Sequence, residues 1–256
     1  MKNKGFLKLN YFITLSFICL PFFGFFSRGN FLRIQNLDLP IIFSSIWVSL
    51  RNGLIAMFIV ILIGLPAGYF MAKTEFKGKE FLNLLFHLPQ VLPPAVTGLL
   101  LLITYGSNGF IGRHLAILGI RTSFTSLAVV LTFIFVALPL FIRGVSVAFM
   151  EVNPKLEETA QILGDSSFQV FRRISFPLAK RGIVVSFMMA WSRGLSEFGA
   201  TMMFAGNLQG ITQTLPLAIY TALETNLNNA LFLAFIMFLI SLSLLILTHL
   251  LTKEQE

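Results

Sequence analysis

Two groups of polar residues interrupt a chain otherwise built of apolar runs. Arg193 and Glu197 are spaced i, i+4 inside an apolar stretch, so on a helix they share a face and can pair. A charged side chain in hydrocarbon costs roughly 2.5–3.5 kcal/mol even on a lenient insertion scale, and pairing lowers that cost. Such a pair is either a structural salt bridge or a charged element of a pathway or its gate. Intramembrane ionisable groups face the bundle interior, which favours the second reading. Glu197 neutralises Arg193, so Arg193 is not read as a substrate ligand. The second group is the segment NPKLEETAQILGDSSFQVFRRISFP, residues 153–177. It is too polar to enter a bilayer and separates two apolar runs. Its chemistry is that of a docking surface.

Chemistry of other kinds is missing from the sequence. Cys19 is the single cysteine and lies in an apolar run; His87, His114 and His249 are far apart, so no disulfide framework and no Cys/His metal motif is present. Gly78-Lys79 is isolated and lacks the upstream glycine and following Ser/Thr of a phosphate loop. No nucleophile–base pair stands out. The chain is expected not to be an enzyme.

The elements that must position the two groups are membrane helices. Of 256 residues, 56% are hydrophobic and 12% charged, with mean hydropathy +0.83, against about 25% charged in a soluble domain. The apolar runs are continuous rather than alternating, which excludes a barrel. The fold class expected is all-α: one polytopic transmembrane domain over 1–256 with about six spans, at 11–26, 43–71, 81–105, 125–149, 183–204 and 230–251. The first follows Lys2, Lys4 and Lys8 but lacks a small-residue cleavage site, so it is read as an uncleaved helix rather than a signal peptide. With the N-terminus inside, cytoplasmic segments hold Lys2, Lys4, Lys8, Lys73, Lys77, Lys79, Lys155, Arg172, Arg173, Lys180, Arg181 and Lys253. Outer segments hold only Arg28, Arg33, Arg113 and Arg121. This bias places both termini and the polar segment in the cytoplasm of a multi-pass cell-membrane protein. The net charge of +8 thus serves topology, and nucleic acid is not an expected partner. The outer loops 107–122 and 207–229 either pack over the mouth of a pathway or simply connect.

The polar segment, within a cytoplasmic elbow spanning 151–180, reads as two short capped helices. Asn153 is a good N-cap with Pro154 at the first helical position. Glu157 and Glu158 lie near the helix start, where the macrodipole favours anions. Leu156, Ala160 and Leu163 form a narrow apolar stripe, and Gly164 stops the helix. Ser166 and Gln169 form an S-x-x-Q capping box. The second helix is expected to run to about Ser175, because Pro177 biases Phe176 away from helix. Connections average about 4–6 residues, so this much capped structure is either a well-capped structural loop or, the favoured reading, a docking element for a partner. In the third span, Pro89, Pro93 and Pro94 break or kink a helix that also carries Gln90 and Thr97, giving either a shaped pore wall or a packing kink. Arg51 is expected near the outer end of the second span, snorkelling to the interface.

The elbow resembles the signature loop of ATP-binding-cassette importer permeases: E-A-A, three residues, G, nine residues, I-x-L-P. Here it stands as Glu158-Thr159-Ala160, Gly164 and Ile174-Ser175-Phe176-Pro177, with Thr159 and Phe176 as mild departures. The runs LPQVLPP at 88–94, FGATMMFAGN at 198–207 and TQTLPLAIY at 212–220, with Asn108-Gly109, are similar to the molybdate/tungstate branch, to which sulfate permeases are related. The resemblance implies that Glu158, Ala160 and Gly164 couple to a separate ATPase. Glu157, Thr159, Asp165 and Pro177 are the neighbouring coupling candidates, and Arg193, Glu197, Gln90 and Thr97 the candidates for pathway or gate. It further implies a homodimer in membrane lipid, an extracytoplasmic oxyanion-binding protein, and no cofactor in this chain, ATP and Mg being bound by the ATPase. A sulfate/thiosulfate permease is the alternative. An ion-coupled secondary transporter fits less well, since Glu197 is its only suitable acid and no inverted repeat is visible. A purely structural membrane protein would have no use for Arg193 and Glu197 on one face.

Overall fold

The computed structural model describes residues 4–28 and 38–253, and every regular element among them is helical. Lys2 and Arg33 lie outside the described residues, as do the side chains of Lys4 and Lys253. Four helices are long and apolar enough to cross a membrane. They are α1 (Lys4–Arg28), α2 (Leu39–Lys73), α6 (Ser126–Met150) and α12 (Leu227–Lys253). They correspond to the expected first, second, fourth and sixth spans, the fourth starting at Ser126 with Thr125 as its N-cap.

The other two expected spans are not single helices. The third divides into α3 (Lys79–Val91) and α4 (Pro94–Tyr105), bent by 112° at the break. Pro93 and Pro94 cannot donate the backbone hydrogen bonds that would carry α3 onward. The fifth divides into α9 (Phe176–Leu195) and α10 (Gly199–Ala205). The criterion that finds four spans among the described residues reaches five if the bent pair counts as one. The remaining expected span, the fifth, rests on α9, which has 20 residues and is about 30 Å long at 1.5 Å per residue, but carries Lys180, Arg181 and Arg193.

The two segments expected outside, 107–122 and 207–229, each contain a helix. The first holds a short helix, α5 (Gly112–Ile117), and the second an eleven-residue helix, α11 (Leu215–Thr225). Leu215 N–H donates to Ser49 Oγ on α2 at 2.7 Å. Ile42, Leu215, Ala218, Ala222, Ala230 and Leu233 form a buried cluster around α11. Arg51 is exposed twelve positions into α2.

The core lies where α2, α6 and α9 meet, around Met57, Val60, Phe141, Val145, Phe149 and Ala190. Membrane helices gain little from excluding lipid and associate by close packing, which favours small residues at the contact. Gly64 and Gly68 of α2 supply them. A methyl group at Gly68 would lie 2.5 Å from Val145 Cγ1 and 3.0 Å from the Ile142 carbonyl oxygen, and one at Gly64 2.7 Å from Phe141 Cδ1. The valine is β-branched, buried and stiff at χ1, so the helices themselves must separate. Gly68→Ala is therefore expected to cost about 1–3 kcal/mol in thermal unfolding of the detergent-solubilised protein. Gly5→Ala, where nothing lies within 4 Å, serves as the near-neutral comparison.

Candidate functional site

The polar elbow begins where α6 ends. Its first helix, α7 (Pro154–Ile162), is capped as its sequence dictates: Asn153 Oδ1 accepts from Lys155 N–H at 3.0 Å. At the far end Gly164 has φ +98°. Asp165 N–H donates to the Ala160 carbonyl and Gly164 N–H to that of Gln161, both at 3.0 Å. This pairing closes a Schellman motif. Two residues on, the capping box is complete, with Ser166 N–H donating to Gln169 Oε1 at 2.7 Å and Gln169 N–H to Ser166 Oγ at 3.4 Å. The corner is thus set by local hydrogen bonds and by a glycine in the left-handed region.

The second helix does not end at Pro177. From α8 (Ser167–Val170) the chain runs through a π-helical turn, Phe171–Ser175, directly into α9, and Phe176 is helical at φ −66°, ψ −46°. A π turn carries an extra residue, and here Phe176 N–H reaches back to the Phe171 carbonyl. The widened turn accommodates Pro177, whose ring would otherwise meet the carbonyl four residues earlier. The elbow is therefore continuous with a core helix.

Glu157 fixes the elbow's orientation. One carboxylate oxygen accepts from Lys73 Nζ, at the end of α2, at 2.7 Å, and the other accepts from Ser175 Oγ, in the π turn, at 2.6 Å. The Lys73 and Glu157 side chains are 21% and 13% exposed. Asp165 pairs with Arg173 at 2.9 Å, a contact with an exposed partner and correspondingly weak. Ala160 is buried, whereas Glu158, Thr159, Gly164 and Pro177 are exposed. Alongside them Ile162 is 85%, Leu163 82% and Phe168 70% exposed. The candidate coupling residues thus separate into an inner set, Glu157 and Ala160, and an outer face flanked by bare apolar side chains.

The pathway candidates fall at the two broken helices. Glu197 lies in the break between α9 and α10, 2% exposed. One of its carboxylate oxygens accepts from Arg193 Nη1 at 2.7 Å and the other from Ala200 N–H at 3.0 Å. It therefore neutralises Arg193 and also satisfies an orphan donor at the start of α10, where a negative charge is favoured. The second halves of the broken spans pack closely on each other. A methyl group at Gly98 of α4 would sit 2.8 Å from the Ala200 carbonyl oxygen, and one at Gly199 2.7 Å from Pro94 Cβ. Thr97 is buried beside this contact. Gln90, by contrast, lies on α3 in a cavity with His87 and Arg143, while Arg193 lines another cavity with Ser192, Ser196, Ser241 and Thr248. The four candidates do not meet in one site.

Residues 64–255 match the family described as binding-protein-dependent transport system inner membrane component. The chain belongs to this family. The permease is 37% identical over 213 residues to the putative molybdenum transport system permease protein YvgM of Bacillus subtilis (strain 168), covering 83% of this chain and 93% of that one. It is 39% identical over 184 residues to the molybdenum transport system permease protein ModB of Escherichia coli (strain K12), covering 70% and 80%. A probable sulfate transport system permease protein, cysT of Prototheca wickerhamii, is 35% identical, covering 72% of each chain. Among solved structures, a bacterial alginate ABC transporter in complex with a pentasaccharide-bound periplasmic protein matches with TM-score 0.69 at 18% identity over 97% of this chain and 93% of that one, a likeness of fold. The permease is a multi-pass membrane subunit of a transport system and not an enzyme.

Sequence reasoning missed two parts of this arrangement. The Lys73–Glu157–Ser175 clamp joins residues 84 positions apart, and no local pattern announces it. Arg143 was readable but overlooked: it is a lone cation inside the apolar helix α6, where an unpaired charge costs roughly 2.5–3.5 kcal/mol. At the break, Glu197→Ala removes both the counterion of Arg193 and the acceptor for Ala200 N–H. It is expected to destabilise the permease by about 3 kcal/mol. Glu197→Gln, which keeps an acceptor oxygen, is expected to lose about half as much in the same thermal unfolding measurement.

Proposed function

We propose that the permease is the membrane subunit of an ATP-binding-cassette importer that moves molybdate or tungstate into the cell, with both termini and the elbow cytoplasmic. The observation that carries this reading is the elbow itself. It is a capped corner whose outer face exposes Ile162, Leu163 and Phe168 while Glu157 ties its inner face to α2 and the π turn. Bare apolar side chains on a polar cytoplasmic element suit a soluble partner better than water. In this reading the partner is a separate ATPase, which binds ATP and Mg. The outer face of the elbow, with Glu158, Thr159, Gly164 and Asp165, lies against it, and Pro177 starts the helix that carries its movement into the core. Two copies of the permease enclose the pathway, and an extracytoplasmic protein delivers the anion. ATP-driven closure draws the two elbows together and opens the pathway outward; hydrolysis resets it inward. Arg193, Glu197, Gln90 and Thr97 belong to the segments that move.

The identity to YvgM and ModB favours molybdenum oxyanions as cargo; the 35% identity to a sulfate permease supports sulfate as the second reading. Reconstituted with its ATPase and binding protein, the complex is expected to take up labelled molybdate or tungstate in preference to sulfate, and sulfate preference would reverse the assignment. The coupling role is tested at Gly164. No atom lies within 4 Å of a Cβ placed there, so a substitution acts through backbone strain alone, about 1–2 kcal/mol for an L residue in the left-handed region. Gly164→Val is expected to leave insertion intact and lower uptake per ATP hydrolysed several-fold, while Gly164→Asn, which tolerates that conformation, retains most of it. Full coupling in Gly164→Val would count against the docking role.

A further inference from the structure

Between α3 and α6 lies a cavity of about 240 Å³. Asn83, His87 and Gln90 from α3 and Arg143 and Ser146 from α6 supply its polar groups; its remaining lining residues are apolar, and no Asp or Glu is among them. Among the described residues Arg143 makes no ion pair with a carboxylate. Its Nη1 donates to His87 Nδ1 at 3.5 Å. That bond leaves Nδ1 as the acceptor and puts the ring proton on Nε2, so the imidazole is a second donor. Arg143 stands seven residues before the end of α6 at Met150, about 10 Å from the elbow along the helix axis.

We propose that this cavity is a station for a tetrahedral oxyanion dianion on the cytoplasmic half of the pathway, the last protein contact before release. The proposal rests on the importer reading above and deepens it. A guanidinium with amide, hydroxyl and imidazole donors beside it, and no carboxylate in the lining, selects for anions of high acceptor density. The volume holds such an ion with several waters, each taking about 30 Å³. Arg143 and Gln90 remain exposed, so the ion is held by few groups and can leave. The contrast with Arg193 is informative: Glu197 neutralises that guanidinium, whereas no acid among the described residues pairs with Arg143. Phosphate headgroups of anionic lipids present the same oxyanion chemistry to a cavity at this depth, and the test separates the two sources.

The reporter is Val147→Cys, one turn from Arg143 and lining the same cavity, placed in a Cys19→Ser chain and assembled with the ATPase in nanodiscs of neutral phosphatidylcholine. Labelling with an anionic thiol reagent is timed with and without molybdate. Molybdate at roughly ten times its half-saturating concentration is expected to slow labelling roughly tenfold, by occupying the cavity. Arg143→Gln should abolish this protection, and Arg143→Lys, which keeps the charge, should retain part of it. No protection by molybdate overturns the station, as does protection that survives Arg143→Gln. Protection that arises only when phosphatidylglycerol is added assigns the cavity to lipid and also overturns it. Uptake of labelled molybdate by the unsubstituted complex is measured in parallel. Normal uptake without protection sinks the station alone, and absent uptake sinks the importer reading instead.

Discussion

A single carboxylate decides whether the elbow is part of the machine or merely attached to it. Glu157 touches the end of α2 through Lys73 and the start of the α9 run through Ser175, while α7 itself follows directly on α6. The three helices that share the core, α2, α6 and α9, thus all converge on one short helix. Without that carboxylate α7 would lose its polar tie to α2 and keep the packing of buried Ala160 and its covalent connections. With it, α7 is tied to both α2 and the π turn, elements packed on a core that deforms little. The contact is mostly out of water, so it is screened less by salt than a surface pair.

The membrane imposes the second constraint. Backbone groups freed by a broken helix must find partners within the protein. At the α9–α10 break the side chain of Glu197 provides one, and the same carboxylate carries the charge that makes Arg193 tolerable at that depth. At the α3–α4 break the prolines supply no N–H to strand. The two short helices then press together where Gly98 meets Ala200 and Pro94 meets Gly199. Broken helices in contact form a joint that can shift without exposing unpaired backbone. This suits a transport subunit, whose elements must occupy more than one arrangement.

The sequence made local features legible and distant ones not. The caps at Asn153 and Ser166 and the stop at Gly164 are patterns of three or four residues, and each forms as read. Continuous apolar runs marked α1, α2, α6 and α12 because hydrophobic length alone defines such helices. The proline rule located the α3–α4 break but misled at Pro177, since a π turn absorbs the ring instead of ending the helix. The break after Leu195 carries no proline; it is made by Ser196, Glu197 and Phe198, whose role depends on the buried pairing with Arg193 and Ala200. The Glu157 clamp, the packing of Gly64 and Gly68 of α2 on α6 and that of Gly98 of α4 on α10 are tertiary facts. Glu157 was singled out for its place near a helix start, and its partners became visible only once α2 and the π turn were beside it.

In the proposed function the elbow works as a lever because Glu157 clamps it to the core. The most direct measurement is the number of anions taken up per ATP hydrolysed in proteoliposomes, compared between Glu157→Gln, Lys73→Gln and the charge exchange Lys73→Glu with Glu157→Lys. The account predicts that each single change leaves ATP hydrolysis running while uptake per ATP falls several-fold, and that the exchange recovers part of the loss. Full uptake per ATP in both single variants would contradict it.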